Sequence, residues 1–577
     1  MSTFEFKARR SPVLARHGMV ACTQPLAAEA GLSILKAGGN AVDAAVAIAA
    51  CLNVTEPTST GIGGDAFCLY FEKATGKLHA LNASGRCPAG LTLEAARAAA
   101  AAGGNPDSLP PRHIHNVTVP GAAAGWCDAA EKWGTMPLGA VLKPAIDMAR
   151  EGFPVAPVAA AMWAKGEAVL KKWPHPEEML MPDGTAPKAG SVFANPTLAG
   201  TFEALAAEGK PGFYSGRIGE AIVAAVQAQG GTLTLEDMAA HVSTFPEPIS
   251  VEYKGHTVYE VPPNGQGITA LIALNILDAV PAVDTMEHNS APYLHTLIEA
   301  MRLAFADAAW YVADPDVVHV PIAELLSKPY GASRAAGIDP ACAAADVIKG
   351  SPTAVSNTVS FQVVDAFGNA CSFINSNYEG FGSGLIPLGC GFTLQNRGHN
   401  FSLQDGHPNV LAGGKRPYHT IIPAMILRDG AFHASISVMG GFMQPQGHVQ
   451  LIKNLIDFGM DPQLALDKAR FCVTDGKGPV VVEDGESGCV WCVGRGGGGG
   501  GGGGWGGGGG GANALLAGVD PEVVEALRGM GHDIRVYSGT DRVAGSSFAG
   551  RGQAIVLRDG VLWGGSDGRG DGMALGY

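Results

Sequence analysis

The chain has 577 residues, of which 46% are hydrophobic and 16% are charged, and its formal net charge is −14. The apolar fraction is ordinary for a globular protein, and the acidic balance argues against nucleic acid and anionic membranes as partners. The residues from Met1 to Arg10 lack the apolar segment of a secretory signal, and no apolar run of membrane-spanning length follows, so we expect a cytoplasmic protein.

The first part of the chain alternates helical and strand patterns. Apolar residues at helical spacing predict helices, and short alternating runs around a glycine turn predict a hairpin. The predicted elements are helices over Leu26–Ala37, Asp43–Leu52 and Leu91–Ala102, hairpin strands over Phe67–Phe71 and Lys77–Leu81, and a further helix that opens after Val119. Such alternation, followed by a strand-rich C-terminal part, favours stacked layers of helix and sheet.

A pattern of period two that begins at Asn357 predicts a second hairpin. One face carries Thr358, Ser360, Gln362 and Val364, and the other carries Val359, Phe361 and Val363. Gly368-Asn369 predicts a turn, and Ala370 to Ile374 predicts a buried strand. Thr358 therefore opens the first strand, and Ser376 lies just past the second. In an antiparallel register their two hydroxyls become neighbours.

A threonine that begins a strand after a small polar residue suits one kind of chemistry. Its hydroxyl can attack the preceding carbonyl and split the chain, and the freed α-amine then serves as the base for the same hydroxyl. Such an amine has a reference pKa of about 7.7–8, so part of it is neutral near pH 7. Thr358 is thus a candidate nucleophile, with cleavage between Asn357 and Thr358, although most threonines that begin strands are structural.

Paired glycines follow another strand pattern, Ile436-Ser-Val-Met. Glycine lets backbone N–H groups approach a ligand closely, so Gly440 and Gly441 are candidate oxyanion donors, although most glycine pairs are plain turns. Further along, residues 494–512 are almost entirely glycine. Because each ordered glycine costs about 1–2 kcal/mol of backbone entropy, we expect a disordered surface loop there. It separates a predicted strand over Pro479–Glu483 from a predicted helix over Pro521–Met530.

The eleven cysteines show no disulfide framework spacing. Cys51, Cys68, Cys127 and Cys371 stand in apolar surroundings and are interpreted as buried thiols. Cys489 and Cys492 form a lone CxxC, whereas a structural zinc site needs two more ligands. We therefore expect no metal.

These features together resemble the gamma-glutamyltransferase family of N-terminal-nucleophile hydrolases. The family's stretches occur in the same order, and the resemblance covers nearly the whole chain apart from the glycine-rich insert. The matching stretches are Gly18-Met-Val-Ala, Pro25-Leu-Ala-Ala-Glu-Ala-Gly, Gly38-Gly-Asn-Ala-Val-Asp-Ala-Ala, Glu56-Pro, Gly61-Ile-Gly-Gly-Asp, the hairpin around Thr358, Gly414-Lys-Arg-Pro, Gly440-Gly441 and Gly565-Ser-Asp.

The resemblance implies an α+β fold in four layers, αββα, made as one inactive chain that cuts itself into a large subunit, residues 1–357, and a small subunit, residues 358–577. It implies that Thr358 is the nucleophile, that Ser376 is the hydroxyl bonded to it, and that Gly440 and Gly441 form the oxyanion hole. The two fragments would form a heterodimer, with or without further dimerisation, acting on a small-molecule amide without a cofactor.

The chain departs from the family's transferases where those enzymes hold the substrate carboxylate. Ser84 stands at the position of their carboxylate-binding arginine, and Arg86 is displaced from it by two residues. The asparagine that follows the second hydroxyl is Tyr378 here, and a Ser-Ser pair that touches the carboxylate is replaced by His419 and Thr420. We keep these residues as candidate substrate contacts.

The site for the substrate's α-amine changes as well. Asn400 replaces the aspartate that takes the α-amine, and Arg397 adds a cation nearby. An amide cannot pair with an ammonium as a carboxylate can, and an arginine can bind a carboxylate bidentately. This pocket should favour a substrate with a carboxylate and no nearby ammonium, although a structural ion pair of Arg397 remains an alternative.

The same stretches resemble the branch of the family that contains cephalosporin (glutaryl) acylases and oxamate amidohydrolase. The main hypothesis is a self-processing amidohydrolase that cleaves an amide of an acidic acyl group through a threonine acyl-enzyme. A second hypothesis is true gamma-glutamyl transfer or glutathione hydrolysis. A third is a non-catalytic relative that never processes and acts as a binding protein, against which the intact Thr358, Gly440 and Gly441 speak.

Overall fold

The computed structural model describes residues 10–345, 357–474, 478–483, 518–537 and 548–577, and of Asn357 it describes the backbone alone. The glycine-rich stretch 494–512 and the pair Cys489 and Cys492 lie outside the described residues. Within the described ranges, no helix has both the length and the apolar character needed to cross a membrane.

The strands are short to medium in length and run through both predicted subunits. In chain order they are β1 (Val13–Ala15), β2 (Met19–Cys22), β3 (Asp65–Glu72), β4 (Lys77–Ala83), β5 (Phe153–Pro154), β6 (Val192–Phe193), β7 (Ile249–Tyr253), β8 (His256–Glu260), β9 (Asn357–Val364), β10 (Ala370–Tyr378), β11 (Ala424–Arg428), β12 (Ala431–Met439), β13 (Phe471–Val473), β14 (Val480–Glu483), β15 (Ile534–Tyr537), β16 (Arg551–Arg558), β17 (Val561–Ser566) and β18 (Met573–Gly576).

Most helices precede Thr358 in the chain. They are α1 (Pro25–Lys36), α2 (Ala41–Thr55), α3 (Leu93–Ala102), α4 (Ala122–Trp133), α5 (Leu138–Glu151), α6 (Pro157–Leu170), α7 (Pro196–Glu208), α8 (Lys210–Tyr214), α9 (Arg217–Ala228), α10 (Leu235–Ala239), α11 (Gly267–Asp278), α12 (Ala291–Tyr311), α13 (Ile322–Leu325), α14 (Lys328–Ala335), α15 (Met443–Ile456), α16 (Pro462–Asp467) and α17 (Pro521–Gly529).

Two large sheets form the centre of the molecule, and each combines strands from before and after Thr358. The first has six strands in the order β18-β2-β9-β10-β3-β4, and the second has seven in the order β1-β17-β16-β12-β11-β8-β7. The neighbours in both sheets pair antiparallel. The predicted cleavage bond therefore lies inside a shared sheet, so cleavage leaves the two fragments hydrogen-bonded.

The hydrophobic core divides into layers that follow the sheets. Val359, Phe361 and Val363 pack with α1, α2, α4 and α5 on the outer face of the six-stranded sheet. A second cluster lies between the two sheets, and a third joins the seven-stranded sheet to α11, α12 and α15. This order of helix, sheet, sheet and helix confirms the predicted α+β fold in four layers.

Helix α2 shows how the outer layer holds the hairpin in place. All of its residues are buried, and the side chain of Asn40 accepts from the backbone N–H groups of Val42 and Asp43 in a capping box. At the same end, the backbone N–H of Ala41 donates to the Asp365 carboxylate at 3.0 Å. Asp365 follows β9 directly, so this bond ties the hairpin turn to the helix beneath it.

The predicted elements are confirmed with end shifts of a few residues, including β14, β12 and α17 in the C-terminal part. The four predicted thiols, Cys51, Cys68, Cys127 and Cys371, are free and buried. One boundary was wrong. Strand β10 continues to Tyr378, so Ser376 lies within the strand and not past it. The cause is a shift in the pairing register of β9 and β10 between Asn375 and Tyr378.

Candidate active site

A β-bulge sets the geometry around Thr358. The pairing of β9 with β10 shifts between Asn375, which faces Val359, and Tyr378, which faces Asn357. Thr358 is consequently opposed by two residues, Ser376 and Asn377. A bulge of this kind bends a strand and redirects a side chain. Here the two hydroxyl oxygens of Thr358 and Ser376 lie 3.1 Å apart, both fully buried.

The bulge also fixes the Ser376 hydroxyl from the far side. The backbone N–H of Tyr378 donates to its Oγ at 2.9 Å. Tyr378 itself has a φ of +78°, in the left-handed region that disfavours bulky residues. Its buried ring lies under the guanidinium of Arg397, with 4.5 Å between the guanidinium carbon and the ring centroid. Such a stack is a favourable cation–π contact.

Arg397 is a fully buried cation held by hydroxyl groups. Nη1 donates to Thr420 Oγ1 at 2.6 Å, and Nη2 donates to Ser376 Oγ at 3.1 Å. In the described part of the chain no carboxylate is hydrogen-bonded to it, and its Nε has no hydrogen-bond partner there. Burial lowers the pKa of Arg397 to about 10, so the group stays charged near pH 7. The guanidinium thus has donors to spare beside the Thr358–Ser376 pair.

Asp65, at the start of β3, is the buried carboxylate that faces this cation at longer range. Its Oδ1 accepts from the backbone N–H groups of Gly85 (2.8 Å) and Gly121 (3.1 Å) and from Gln395 Nε2 (2.9 Å). Its Oδ2 lies 2.9 Å from His419 Nε2. Burial alone would raise the pKa of Asp65, but His419, Arg397 and Gln395 lower it overall. The carboxylate is therefore ionised and already saturated with donors.

His419 is neutral in this arrangement. Its Nδ1 accepts from the backbone N–H of Ile421 at 3.3 Å, which leaves the hydrogen on Nε2, where it donates to Asp65. Burial, together with the charge of Arg397, lowers the pKa of His419 to about 4. His419 therefore contributes no charge near pH 7, and its part is to connect Asp65 to the chain segment that carries Thr420.

The glycine pair follows β12 in a turn that needs glycine. Gly440 has a φ of +125° and Gly441 a φ of +60°, and both values lie where side chains are disfavoured. The carbonyl of Gly441 accepts from Gln266 Nε2 at 2.8 Å and from the backbone N–H of Gln444 at 3.2 Å. These two bonds hold the Gly441–Phe442 peptide plane. The plane that carries the Gly441 N–H is held separately, because the Gly440 carbonyl accepts from the backbone N–H of Met443 at 3.0 Å.

Three predicted contacts form their hydrogen bonds with residues outside the group of Thr358, Ser376 and Arg397. Arg86 donates to Asp314 at 3.2 Å and to Asp316 at 2.9 Å, so its charge is already paired. The Ser84 hydroxyl accepts from Asn264 Nδ2 at 3.0 Å. The Asn400 carbonyl accepts from Asn409 Nδ2 at 2.7 Å, and Asn400 Nδ2 has no hydrogen-bond partner among the described residues.

Sequence reasoning missed Asp65 and Gln266 as members of the site. Asp65 stands in the sequence only as the last residue of the Gly61-Ile-Gly-Gly-Asp stretch, and its contact with His419, 354 residues away, has no local signal. A carboxylate directly after a glycine turn and before a buried strand was the clue available. Gln266, at the N-terminus of α11, gave none.

The described residues therefore bring together a nucleophile candidate, a second hydroxyl bonded to it and a buried cation. Gln266 connects the segment of Thr420 to the glycine turn that is the candidate oxyanion site. These are the group types that acyl transfer to a hydroxyl needs.

The gamma-glutamyltranspeptidase family model matches residues 27–577. A glutathione hydrolase-like proenzyme of Bacillus subtilis is 34% identical over 565 residues, covering 98% of this chain and 99% of that protein. An oxamate amidohydrolase proenzyme of Klebsiella pneumoniae is 32% identical over 573 residues, covering 97% and 98%. The crystal structure of a cephalosporin acylase from Bacillus halodurans has a TM-score of 0.85 and 40% identity, over 100% of this chain and 99% of that one. The chain therefore belongs to the gamma-glutamyltranspeptidase family and is an amide-cleaving enzyme made as a proenzyme.

Proposed function

We propose that the processed enzyme hydrolyses amides whose acyl part ends in a carboxylate and has no ammonium beside it. The observation that carries this proposal is Arg397. It is a fully buried cation whose hydrogen bonds go to two hydroxyls, Ser376 and Thr420, instead of to a carboxylate. Burying an unpaired charge is costly, so a substrate carboxylate is the partner that best fits.

Thr358 acts first on its own chain in this proposal. Its hydroxyl attacks the carbonyl of Asn357, the bond to the Thr358 nitrogen breaks, and an ester between Asn357 and the Thr358 oxygen forms. Water then hydrolyses this ester and leaves a carboxylate on Asn357 and a free hydroxyl and α-amine on Thr358. The free α-amine of Thr358 then takes the hydroxyl proton during attack on the substrate carbonyl. That proton passes to the leaving amine, and a Thr358 acyl ester remains. Water, deprotonated by the same amine, hydrolyses the ester and regenerates the enzyme.

The remaining site residues supply stabilisation and position. The N–H groups of Gly440 and Gly441 receive the oxyanion, a contribution typically worth about 2.7–4 kcal/mol for one donor. Ser376 is bonded to both Thr358 and Arg397, so it links the nucleophile to the group that holds the carboxylate. Tyr378 and Thr420 keep the guanidinium in place.

Selectivity against an α-amine follows from the charges near Arg397. Asp65 is the anion that acts on it, and this carboxylate is saturated by two backbone N–H groups, Gln395 and His419. An ammonium placed beside Arg397 would meet like charge without a free carboxylate to pair with. Glutaryl groups should therefore be preferred over gamma-glutamyl groups by at least about tenfold in kcat/KM, since about 1.4 kcal/mol is a factor of ten.

The test compares glutaryl-p-nitroanilide with gamma-glutamyl-p-nitroanilide at one pH on the processed enzyme. We expect the glutaryl compound to have the higher kcat/KM. Arg397→Gln should remove most of this difference while self-cleavage continues. Arg86→Gln is the matched control, because it also removes a guanidinium but one already paired with Asp314 and Asp316.

A clear preference for the gamma-glutamyl compound would reject the proposed pocket and identify an ordinary gamma-glutamyl hydrolase. Equal loss of selectivity in Arg86→Gln and Arg397→Gln would likewise reject it, because the effect would then lack a specific site.

A further inference from the structure

One buried side chain joins the two places where the proposed substrate is held. Gln266 Nε2 donates to the carbonyl of Thr420 at 2.7 Å and to the carbonyl of Gly441 at 2.8 Å. Its Oε1 accepts from the Tyr418 hydroxyl at 2.9 Å. Every polar atom of this fully buried amide is therefore used.

The backbone of Gln266 is fixed as firmly as its side chain. Its N–H donates to the carbonyl of His419 at 2.9 Å, and the His419 N–H donates to the carbonyl of Asn264 at 2.8 Å. The residue stands at the N-terminus of α11, in the fragment that precedes Thr358. Thr420 and Gly441 belong to the fragment that follows it. Gln266 thus acts as a rigid spacer that one fragment inserts between two segments of the other.

The two carbonyls belong to functionally different parts of the site. Thr420 carries the hydroxyl that accepts from Arg397, and Gly441 belongs to the glycine turn proposed as the oxyanion site. An acyl chain with a terminal carboxylate must reach from one to the other. The position of the Thr420 segment relative to the glycine turn therefore limits the length of chain that can react.

We propose that Gln266 is a positioning residue that sets the acyl-chain length of the substrate. It does so by fixing the distance between Arg397 and the oxyanion donors. The inference rests on the proposed function of these two groups. Loss of the amide would leave both carbonyls without this donor and free the two segments to move apart. Misplacement by about 1 Å can cost 100-fold in rate even when the mutated group is far from the chemistry.

The test measures kcat and KM of the processed enzyme with succinyl-, glutaryl- and adipyl-p-nitroanilide, and with the uncharged pentanoyl-p-nitroanilide. The variants are Gln266→Met, which keeps length without hydrogen bonds, and Gln266→Glu, which keeps the acceptor for Tyr418 without the donors. Gln450→Met is the matched control. Gln450 Nε2 also donates to two backbone carbonyls, Gln446 and Phe471, each at 3.0 Å, and its Oε1 accepts from the Phe471 N–H at 3.0 Å.

For the preferred chain length we expect kcat/KM to fall about tenfold or more in both Gln266 variants. The ratio of kcat/KM for the preferred chain length to kcat/KM for each of the other two lengths should decrease by a similar factor. Pentanoyl turnover should also fall, because the glycine turn loses a hydrogen bond, but by a smaller factor than for the preferred acid, because pentanoyl does not use Arg397. Gln450→Met should keep the wild-type length profile. A merely structural role for Gln266 would instead lower kcat/KM for all four substrates by the same factor.

An unchanged length profile in both Gln266 variants would overturn the inference. So would loss of self-cleavage, or a loss of melting temperature well beyond that of Gln450→Met, in both variants. The amide would then serve folding or processing instead of selection. Failure of the proposed function looks different, because the wild-type enzyme itself would then fail to prefer glutaryl over pentanoyl.

Discussion

Two groups of interior arginines differ in their partners: the arginines of one group are paired with carboxylates, and the arginine of the other is bound by hydroxyl groups. Arg569 is bound bidentately by Glu483, with Nε and Nη2 at 2.6 and 2.5 Å from its oxygens, and Nη1 lies 3.0 Å from Asp567. Arg470 reaches the other oxygen of Asp567 at 2.7 Å. Arg397, which is fully buried, contacts two hydroxyls and a tyrosine ring.

Under the proposed function, this difference separates arginines that stabilise the fold from the arginine that binds substrate. Arg470 and Arg569 share two carboxylates and tie α16, β14 and β16–β17 together, so their charges are neutralised within the fold. Among the described residues, Asp65 is the carboxylate whose charge acts on Arg397, at longer range, and its own hydrogen-bonding capacity is used elsewhere. A buried cation with spare donors next to a nucleophile is poised for an anionic ligand.

The largest expected effect comes from a variant that abolishes catalysis and leaves both groups of arginines unchanged. Thr358→Ala lacks the attacking hydroxyl, so the chain should stay whole and show no turnover. Intact mass should give one species, where the wild-type protein gives two and the smaller fragment begins Thr-Val-Ser on Edman sequencing. Two fragments from Thr358→Ala, or a homogeneous full-length wild-type chain after long incubation at pH 7–8, would contradict the assignment.

A second variant separates chemistry from recognition. Gly441→Val places a side chain where the oxyanion should sit, so kcat should fall by about 10²–10³. The ratio of glutaryl to gamma-glutamyl turnover should persist, because Arg397 is untouched. Gly430→Val is the control, since Gly430 has a φ of +74° with nothing near its missing Cβ and so shares the backbone strain alone. Unchanged kcat in Gly441→Val at equal melting temperature would remove Gly441 from the oxyanion site.

The third prediction tests the comparison itself by removing one arginine of each kind. Arg569→Gln leaves Glu483 and part of Asp567 buried without their cation, and should lower the free energy of unfolding by about 3–5 kcal/mol. Arg397→Gln loses two hydrogen bonds but also a costly buried charge, so it should change stability by about 1 kcal/mol or less. Denaturant unfolding of the processed proteins measures both. A larger stability loss for Arg397→Gln would give it a structural role.

The smallest effect is a difference in acid sensitivity. The pKa of His419 is lowered by burial from 6.5 to about 4, so its stabilising contribution is complete above pH 6.5 and is lost as pH falls towards 4. Burial opposes ionisation of Asp567, but Arg470 and Arg569 lower its pKa from 3.8 to about 2. Its contribution is therefore complete above pH 3.8 and is lost only as pH falls towards 2.

Melting temperatures over pH 2–7 check this order. His419→Asn should flatten the dependence of melting temperature on pH between pH 6.5 and 4. In free energy of unfolding, the slope should decrease by up to about 1.4 kcal/mol per pH unit. Asp567→Asn should flatten it below pH 3.8. The lowered pKa values of His241 and His532 add to the wild-type slope, so the difference between variant and wild type is the quantity to compare. Parallel curves for His419→Asn and wild type would show that His419 does not titrate in this range.

Much of the fold, and the pairing at the centre of the candidate site, can be predicted from local patterns in the sequence. The alternation from Thr358 to Val364 predicts both the strand and which side chains share a face, and Gly368-Asn369 predicts the turn. These signals are short-range, because a strand's facing and a tight turn depend on neighbouring residues. The contact between Thr358 and Ser376 followed from the hairpin alone.

The features that could not be predicted from the sequence depend on contacts between residues far apart in the chain. The bulge opposite Thr358 extends β10 by several residues, and nothing in Asn375 to Tyr378 marks it. Arg86 lies near the position of a carboxylate-binding arginine in the chain, but Asp314 and Asp316, more than 200 residues away, pair with it. Gln266 acquires its position only when the segments before and after Thr358 pack together in the folded chain.

Binding of two small acids to the processed enzyme tests the role of Arg397 most directly. Titration calorimetry with glutarate and L-glutamate, which differ by one ammonium group, reports recognition without the chemical step. We predict that wild-type enzyme binds glutarate at least about tenfold more tightly than L-glutamate, and that Arg397→Gln loses this preference while Arg86→Gln keeps it. Tighter binding of L-glutamate, or the same preference in Arg397→Gln, would contradict the account.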